Sequence, residues 1–424
     1  VVFWVKKGEA QRLGWVDAEV TMADIVTAAE GGLSFGMTSA TQSNSGAMAY
    51  LAMLSAAAGR PEVLTLGHVR DDGIKARVAA LLRDVDRTSG SSGWLGDLYL
   101  EHPKAMDAMF NYEAVGIEVN RELERRGQET LCAIYPADGL AIADSPLAYV
   151  DKGDTEDDQK IEAFFLALQA HLLSDGIQDR LAEAGRRVGP LGLSSSRLSD
   201  RVFRRDWCIH IDRPITALTT PEQSVLEAAL RVYQRESRRP SEIVFLLDYS
   251  GSMKGDGNAQ LVEAMSTLLL LEKAEAFFLE TTDEDIFHVV PFDTQPAIGW
   301  RGEGDSPENL ETLYRDIEAR QPDGGTNIYR ATLRGLSILE NSGRADTHSQ
   351  MILLLTDGKS DGDISDVRAK LSVNPTDNVP VFAILFGDAS EGQVTELAGL
   401  TAARVFDGRK GLVDAFRKAR GYAN

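Results

Sequence analysis

The chain has 424 residues, 43% hydrophobic and 26% charged, the composition of a globular protein with room for two or three domains and not of a disordered one. Its net charge of −21 describes a solvated acidic surface that repels nucleic acid and anionic lipid, since both need clustered Lys and Arg. No apolar run is long enough to cross a bilayer; the longest, such as Met351 to Leu355, are strand-sized.

The chain opens at Val1 with Val-Val-Phe-Trp-Val, which reads as a buried strand. A native chain rarely opens inside a strand, so an N-terminal piece is expected to precede it. Leu33 to Met37 is a short apolar strand and Ser45 to Ala58 an Ala- and Met-rich helix. Ala114 to Val119 and Leu140 to Ala143 read as further strands. Lys160 to Leu181 reads as one helix, because Ile161, Phe164, Phe165, Leu168 and Leu172 recur at helical spacing. Strands alternating with helices predict an α/β domain over residues 1–189.

From 190 to 240 the alternation breaks at Pro190, Ser194, Ser195, Ser196, Pro214 and Pro221. One helix is expected from Pro221 to Glu236, with proline in its first turn. Trp207, Ile209 and Ile211 are apolar enough to pack, so the segment is read as an ordered connector. Cys132 and Cys208 fit neither a disulfide framework nor a metal-knuckle spacing. They read as buried, unpaired residues, with a Cys132–Cys208 disulfide as the alternative.

Over residues 241–424 the alternation is clearer. Strands are expected at Ile243–Leu247, Phe287–Phe292, Met351–Leu355 and Val379–Phe386. Helices are expected at Leu261–Ala276, Leu310–Ala319, Asn327–Glu340, Ile364–Leu371, Gln393–Leu400 and Leu412–Arg420. Successive β–α units predict right-handed crossovers and a doubly wound sheet, with ligands at the carboxyl ends of its strands.

Three polar segments fall at those ends. Asp248-Tyr249-Ser250-Gly251-Ser252 follows the first strand, Gly324-Gly325-Thr326 opens a helix, and Thr356-Asp357-Gly358 follows another strand. Asp248, Ser250, Ser252, Thr326 and Asp357 offer oxygen only, which suits a hard divalent cation and argues against zinc or copper. Two carboxylates and three neutral hydroxyls leave such an ion under-neutralised, able to accept a carboxylate from a partner. Strand-end turn chemistry is the bland reading of Asp248 and Asp357. Asp361-Gly362-Asp363 fails the calcium-loop spacing and reads as a turn followed by an N-cap. Asp256 and Asp293, near the mouth, read as solvated surface, and Tyr249, Lys254 and Asp256 as rim residues that set which partner fits.

These segments resemble the metal-ion-dependent adhesion site of von Willebrand factor A domains, in order and complete, over Ser241 to about Tyr422. The resemblance implies direct metal contacts from Ser250, Ser252 and Thr326. Asp248 and Asp357 would bind directly or through water. The ion would be Mg²⁺, Mn²⁺ or Ca²⁺, and a protein partner would present an Asp or Glu to it.

In the first half, Thr38 to Gly46 (Thr-Ser-Ala-Thr-Gln-Ser-Asn-Ser-Gly) joins a strand to a helix. Free N–H groups there, with Ser43, Asn44 and Ser45 as donors, could hold an anion, and Gly46 would let the ligand reach the backbone. Ordinary N-capping is the bland alternative. A second polar loop, Thr88 to Trp94, also precedes a helix. Phe35 to Gly46, Asn111 to Val115 and Tyr135 to Pro146 resemble a bacterial type-2 extracellular solute-binding domain, two α/β lobes that close on a ligand. The whole chain is similar to bacterial proteins that fuse such a domain to a von Willebrand A domain. The first half of the N-terminal lobe would precede Val1. The domain is therefore expected to be partial, one lobe well formed and the other lacking strands, with apolar surface exposed or leaning on the second domain. The ligand candidates are Ser43, Asn44, Ser45 and Tyr112, for a small anionic solute.

The resulting reading is a non-enzymatic binding protein of the bacterial cell envelope, periplasmic or extracellular. It would be anchored to the membrane through a segment outside this chain. A solute receptor or sensor is the first alternative. A metal-dependent hydrolase is the second, disfavoured because His68, His102, His171, His210, His288 and His348 cluster nowhere and no phosphate-loop lysine follows Gly324-Gly325-Thr326.

Overall fold

The structure is a computed structural model. It describes residues 1–138, 142, 147–151, 153, 155–189, 195–211, 217–304, 306–357, 359–373, 379–387, 391–409 and 411–420. All of the expected strand Leu140–Ala143 but Ile142, most of the Tyr135–Pro146 segment beyond Asp138, Pro190, Ser194, Pro214 and Gly358 lie outside the described residues.

Two sheets carry the fold. The first uses β1 (Val2–Lys6), β2 (Phe35–Thr38), β3 (Val85–Ser89), β4 (Ala108–Asn111) and β5 (Leu131–Ile134), in the order β3-β2-β4-β1-β5. β1 runs antiparallel to both β4 and β5, while β2 lies parallel to β3 and β4. The opening strand is therefore no exposed remnant. Phe3, Trp4 and Val5 are fully buried inside the sheet, their alternating side chains feeding the cores on its two faces. Among the described residues, 1–189 build this one sheet and no second lobe.

The apolar surface that lacks cover lies elsewhere, on the helix Glu156–Leu172 and just past it. That helix has no buried residue; Phe164 is 70% exposed and Leu173, which follows it, 68%. The expected long helix stops at Leu172, and Ser174 opens another, Asp175–Glu183. The expected strand Ala114–Val119 is helix instead, Glu113–Arg125. A short apolar run serves either structure, but buried Gly116, Val119, Asn120 and Leu123 follow the helical period into the Arg- and Glu-rich stretch. Gly116 lies so close to the indole of Trp4 that a Cβ would overlap it.

The connector is stitched in. Trp207 and Ile209 are buried in the core of the first domain, and Cys208 pairs with Cys132 of β5 across 76 residues. The reading of both cysteines as unpaired is thus wrong. Sequence separation hides a pair that the packing of Trp207 and Ile209 beside β5 brings to a Cα–Cα distance of 5.0 Å. The helix expected over Pro221–Glu236 is Gln223–Val232, continued by a π-helical turn, Tyr233–Ser237.

The second sheet uses β6 (Ser241–Asp248), β7 (Ile286–Phe292), β8 (Trp300–Glu303), β9 (Ser349–Thr356), β10 (Val381–Leu385) and β11 (Val405–Asp407). Its order is β11-β10-β9-β6-β7-β8, parallel except for the antiparallel edge strand β8. This is the doubly wound arrangement, with the order reversing at β6. Ile243 to Leu247 are all fully buried because β6 sits between β7 and β9 with helices on both faces. The helix expected over Leu261–Ala276 breaks at Leu270, whose backbone is extended, into Asp256–Leu269 and Leu271–Ala276.

Candidate metal centre at the carboxyl edge of the second sheet

β6 and β9 are adjacent and parallel, so Asp248 and Asp357 leave the sheet at the same edge. The third segment is brought in by backbone bonds. The Asp323 N–H donates to the Tyr249 carbonyl at 2.7 Å, and the Gly251 N–H to the Gly324 carbonyl at 2.9 Å. Gly324 has φ +83°, which a side chain would strain, so the turn into Thr326 needs glycine. Asn327 then caps the helix Ile328–Ser342, its side chain accepting from the Arg330 N–H at 3.0 Å.

A hydrogen-bond chain links four of the five oxygen-bearing residues, and the fifth, Thr326, lies in the turn that the Gly251–Gly324 bond ties to them. The Ser252 hydroxyl donates to Asp357 Oδ1 at 2.9 Å and lies 3.1 Å from the Ser250 hydroxyl. The Ser250 N–H donates to Asp248 Oδ1 at 2.9 Å. Thr326 is buried in the adjoining turn, and its carbonyl accepts from the Asp361 N–H at 2.8 Å. Asp248, Ser250 and Asp357 are buried and Ser252 is exposed, which gives the set one open side. Burial pushes the Asp248 carboxyl up to about 6; hydrogen bonds from Thr356 and Ser250 oppose the shift, and the charge of Asp357 adds to it.

Thr356 is a participant that the sequence did not single out. Its hydroxyl donates to Asp248 Oδ2 at 2.5 Å, fixing the carboxylate from behind. Its position directly before Asp357 is the signal that the sequence carries. Tyr249 corrects the expected rim. It is 1% exposed, its hydroxyl donates to the Ile317 carbonyl at 2.7 Å, and it cannot meet a partner. Lys254 and Asp256 are exposed as expected, with Lys254 held 3.6 Å from Asp323.

The donor set fits a hard divalent cation and no softer one. Among the described residues no three His, Cys, Asp or Glu side chains converge as ligands anywhere. Here the oxygens come from three hydroxyls and two carboxylates, as Mg²⁺-type coordination tolerates.

The hydroxyl loop of the first domain is a different case. Ser45 is buried and spends its hydroxyl on Thr38 at 2.7 Å, Ser92 at 2.8 Å and Ser43 at 3.1 Å. The Asn44 side chain donates to the Tyr112 hydroxyl at 3.0 Å. All four candidates are thus gathered, together with Ser92 of the second polar loop. Gly46 serves packing, not the expected ligand approach: a Cβ there would overlap the carbonyls of Thr38 and Ser39, so glycine lets the helix Asn44–Ala57 start against the end of β2.

Residues 242–411 match the model of the von Willebrand factor type A domain. Over 160 residues the chain is 35% identical to human inter-alpha-trypsin inhibitor heavy chain H2, covering 35% of this chain and 16% of that protein. Bovine heavy chain H1 is 27% identical over 155 residues, covering 34% and 16%. The chain therefore spans about one sixth of the length of these relatives. Among solved structures, a von Willebrand factor type A protein from Catenulispora acidiphila aligns at 16% identity and TM-score 0.36, over 44% of this chain and 43% of that one. Manganese-loaded TRAP protein of Plasmodium vivax aligns at 17% identity and TM-score 0.33, over 43% and 74%. Residues 242–411 of this chain are a von Willebrand factor type A domain.

Proposed function

We propose that the carboxyl edge of the second sheet binds one divalent cation, Mg²⁺, Mn²⁺ or Ca²⁺, and uses it to capture a protein partner through an Asp or Glu of that partner. The observation that carries the reading is the hydrogen-bonded run Ser250–Ser252–Asp357 beside Asp248, with Ser252 exposed and the turn that carries Thr326 tied to the run by the Gly251–Gly324 backbone bond. Ser250, Ser252 and Thr326 would hold the ion directly, with Asp248 and Asp357 behind them. The ion would supply an electrophilic position that a carboxylate can fill. The role we infer is binding, with a metal-dependent hydrolase as the alternative. The Cys132–Cys208 disulfide supports a periplasmic or extracellular setting in a bacterial cell envelope, where disulfides persist. Among the described residues no helix is long and apolar enough to cross a membrane, and membrane attachment would come from a segment outside this chain.

A second reading keeps the first domain as a partial type-2 solute-binding unit that takes a small anion at Ser43, Asn44, Ser45 and Tyr112. The Asn44–Tyr112 bond and the Ser43–Ser45–Ser92 contacts favour it. Calorimetry with each metal on the wild-type chain and on Asp248→Ala tests the primary reading. Binding is expected in the first and at least tenfold weaker in the second; equal binding in both removes the site.

A further inference from the structure

One turn of the connector touches both domains. The π-helical turn Tyr233–Ser237 is closed by the Arg238 N–H, which bonds the Tyr233 carbonyl five residues back at 3.0 Å. Single π turns recur at functional positions because the extra residue re-aims the side chains. Here the side chains divide between the domains. Tyr233 is buried in the core of the first domain, its ring edge-on to Tyr50 with centroids 5.2 Å apart. Ala40 of the loop that leads to Ser43 belongs to the same buried core as Tyr233, and burial pushes the Tyr233 phenol up against the opposing Ala40 backbone and Ser39 side chain.

The next residue faces the other way. Gln234 is fully buried and donates to the Glu280 carbonyl at 2.9 Å. The Arg238 guanidinium grips both oxygens of Asp285, and both side chains are within 1% of full burial. Asp285 Oδ1 also accepts from the Ser241 N–H at 2.7 Å, and Oδ2 from the Thr282 N–H at 2.9 Å. Ser241 is the first residue of β6, and β6 ends at Asp248. A void of about 10 Å³ lined by Met37, Thr88, Tyr233, Arg238 and Ser349 marks the seam.

We propose that the Tyr233–Ser237 turn locks the hydroxyl loop Thr38–Gly46 and the metal-edge strand β6 into one cooperative unit, so that an event at either site changes the stability of the other. Separating Arg238 from Asp285 would strand a buried charge, so the base of β6 cannot open while the turn stays in place. Moving the turn withdraws Tyr233 from Ser39 and Ala40 and loosens the start of the helix Asn44–Ala57. Coupling of this kind is reciprocal: a ligand that stabilises one site must stabilise the other.

Native-state amide exchange on the full chain tests this without any ligand. Leu246→Ala opens the core of β6, and exchange in the helix Ile328–Ser342 should accelerate roughly tenfold or more. With the turn intact, exchange in Asn44–Ala57 should accelerate by a similar factor. In the Tyr233→Phe/Gln234→Leu background, shown folded by circular dichroism, Leu246→Ala should leave Asn44–Ala57 near that background's own rate. Ile243→Val repeats the comparison if Leu246→Ala yields no folded protein. Acceleration confined to the second domain in the otherwise wild-type chain overturns the proposal, as does full transmission through the altered turn. A parallel arm adds Mn²⁺ and rests on the proposed metal site: exchange in Asn44–Ala57 should slow in the wild-type chain and slow less in the turn variant. Calorimetry on the same samples separates the two ideas. Absence of a binding heat removes the metal site and leaves the Leu246→Ala comparison to decide the coupling. Binding without slower exchange in Asn44–Ala57 overturns the coupling.

Discussion

At the scale of single residues, buried carboxylates mark the two ends of β6. Asp248 at the carboxyl end is held by Thr356 and Ser250, and Glu242 sits near the other end. Glu242 is fully buried; burial alone would raise its carboxyl, but hydrogen bonds from His288, Gln350 and Ser342 hold it down at about 2. A folded value below the ordinary glutamate value of 4.5 means the unfolded chain binds the proton more readily. The contribution is therefore fully present above about pH 4.5 and is lost as pH falls toward 2, on the order of 3 kcal/mol in all. Denaturant melts of the wild-type chain between pH 5 and pH 2 should show that loss, and Glu242→Gln should flatten it while lowering stability at neutral pH. An unchanged acid dependence in Glu242→Gln would show that other carboxylates govern it.

At the scale of elements, the connector is held to the first domain by covalent as well as apolar contacts. The Cys132–Cys208 bond closes a span of 76 residues between β5 and the connector. Loop-closure entropy puts its stabilisation at about 4 kcal/mol, more than a typical single contact. Cys208→Ser should lower the unfolding free energy by that order, and dithiothreitol should do the same to the wild-type chain; a change under about 1 kcal/mol would mean that Trp207 and Ile209 hold the connector without it. The helix Glu156–Leu172 presents the opposite situation. Its pattern of Ile161, Phe164, Phe165, Leu168 and Leu172 is the one that led to a helix being expected, yet Ile161 and Phe164 point into solvent. Phe164→Lys should leave stability within about 0.5 kcal/mol, because no buried contact is lost, and should reduce light scattering of concentrated solutions if that surface drives association. A large destabilisation would show that Phe164 is covered.

At the scale of the whole molecule, a net charge of −21 opposes an acidic partner at long range. A bound divalent ion is a local exception to that field. Salt screens the long-range repulsion and leaves a direct metal–carboxylate bond largely intact. Capture of a partner from envelope extract should therefore survive about 0.5 M NaCl, where the Debye length is near 4 Å, and should fail with chelator or in Thr326→Ala. Partners retained equally under all conditions would make the metal structural and place the docking surface elsewhere. The two-domain arrangement bears on this too. Trp94, two residues after Ser92 of the hydroxyl cluster, meets Phe382 of β10 at 6.2 Å between ring centroids and takes the Arg404 guanidinium over its face at 6.0 Å. The domains thus also touch through a contact that does not involve the π turn.

The sequence by itself determined the second domain and its edge. Continuous apolar strands such as Ile243–Leu247, alternating with helices, suit the centre of a parallel sheet, and in such a sheet the residues that follow each strand share one edge. That is enough to place Asp248, Ser250, Ser252 and Asp357 at one edge without coordinates; Thr326 follows no strand, and its turn is brought there by the Asp323–Tyr249 and Gly251–Gly324 backbone bonds. Short strands were harder to read. Ala108–Asn111 and Leu131–Ile134 are four residues each, too brief for a period to register, and in Val85–Ser89 every residue after Val85 is polar, which masks it. The first residues of Glu113–Arg125 form a short apolar run that suits strand and helix alike. Only the tertiary structure decided the rest: that β1 lies inside its sheet, that Cys208 meets Cys132, that Tyr249 turns inward while Thr356 turns toward Asp248, and that Tyr233 and Gln234, adjacent in sequence, face different domains. Each of these depends on contacts between segments far apart in the chain, and local pattern carries no information about which distant surface a side chain will meet.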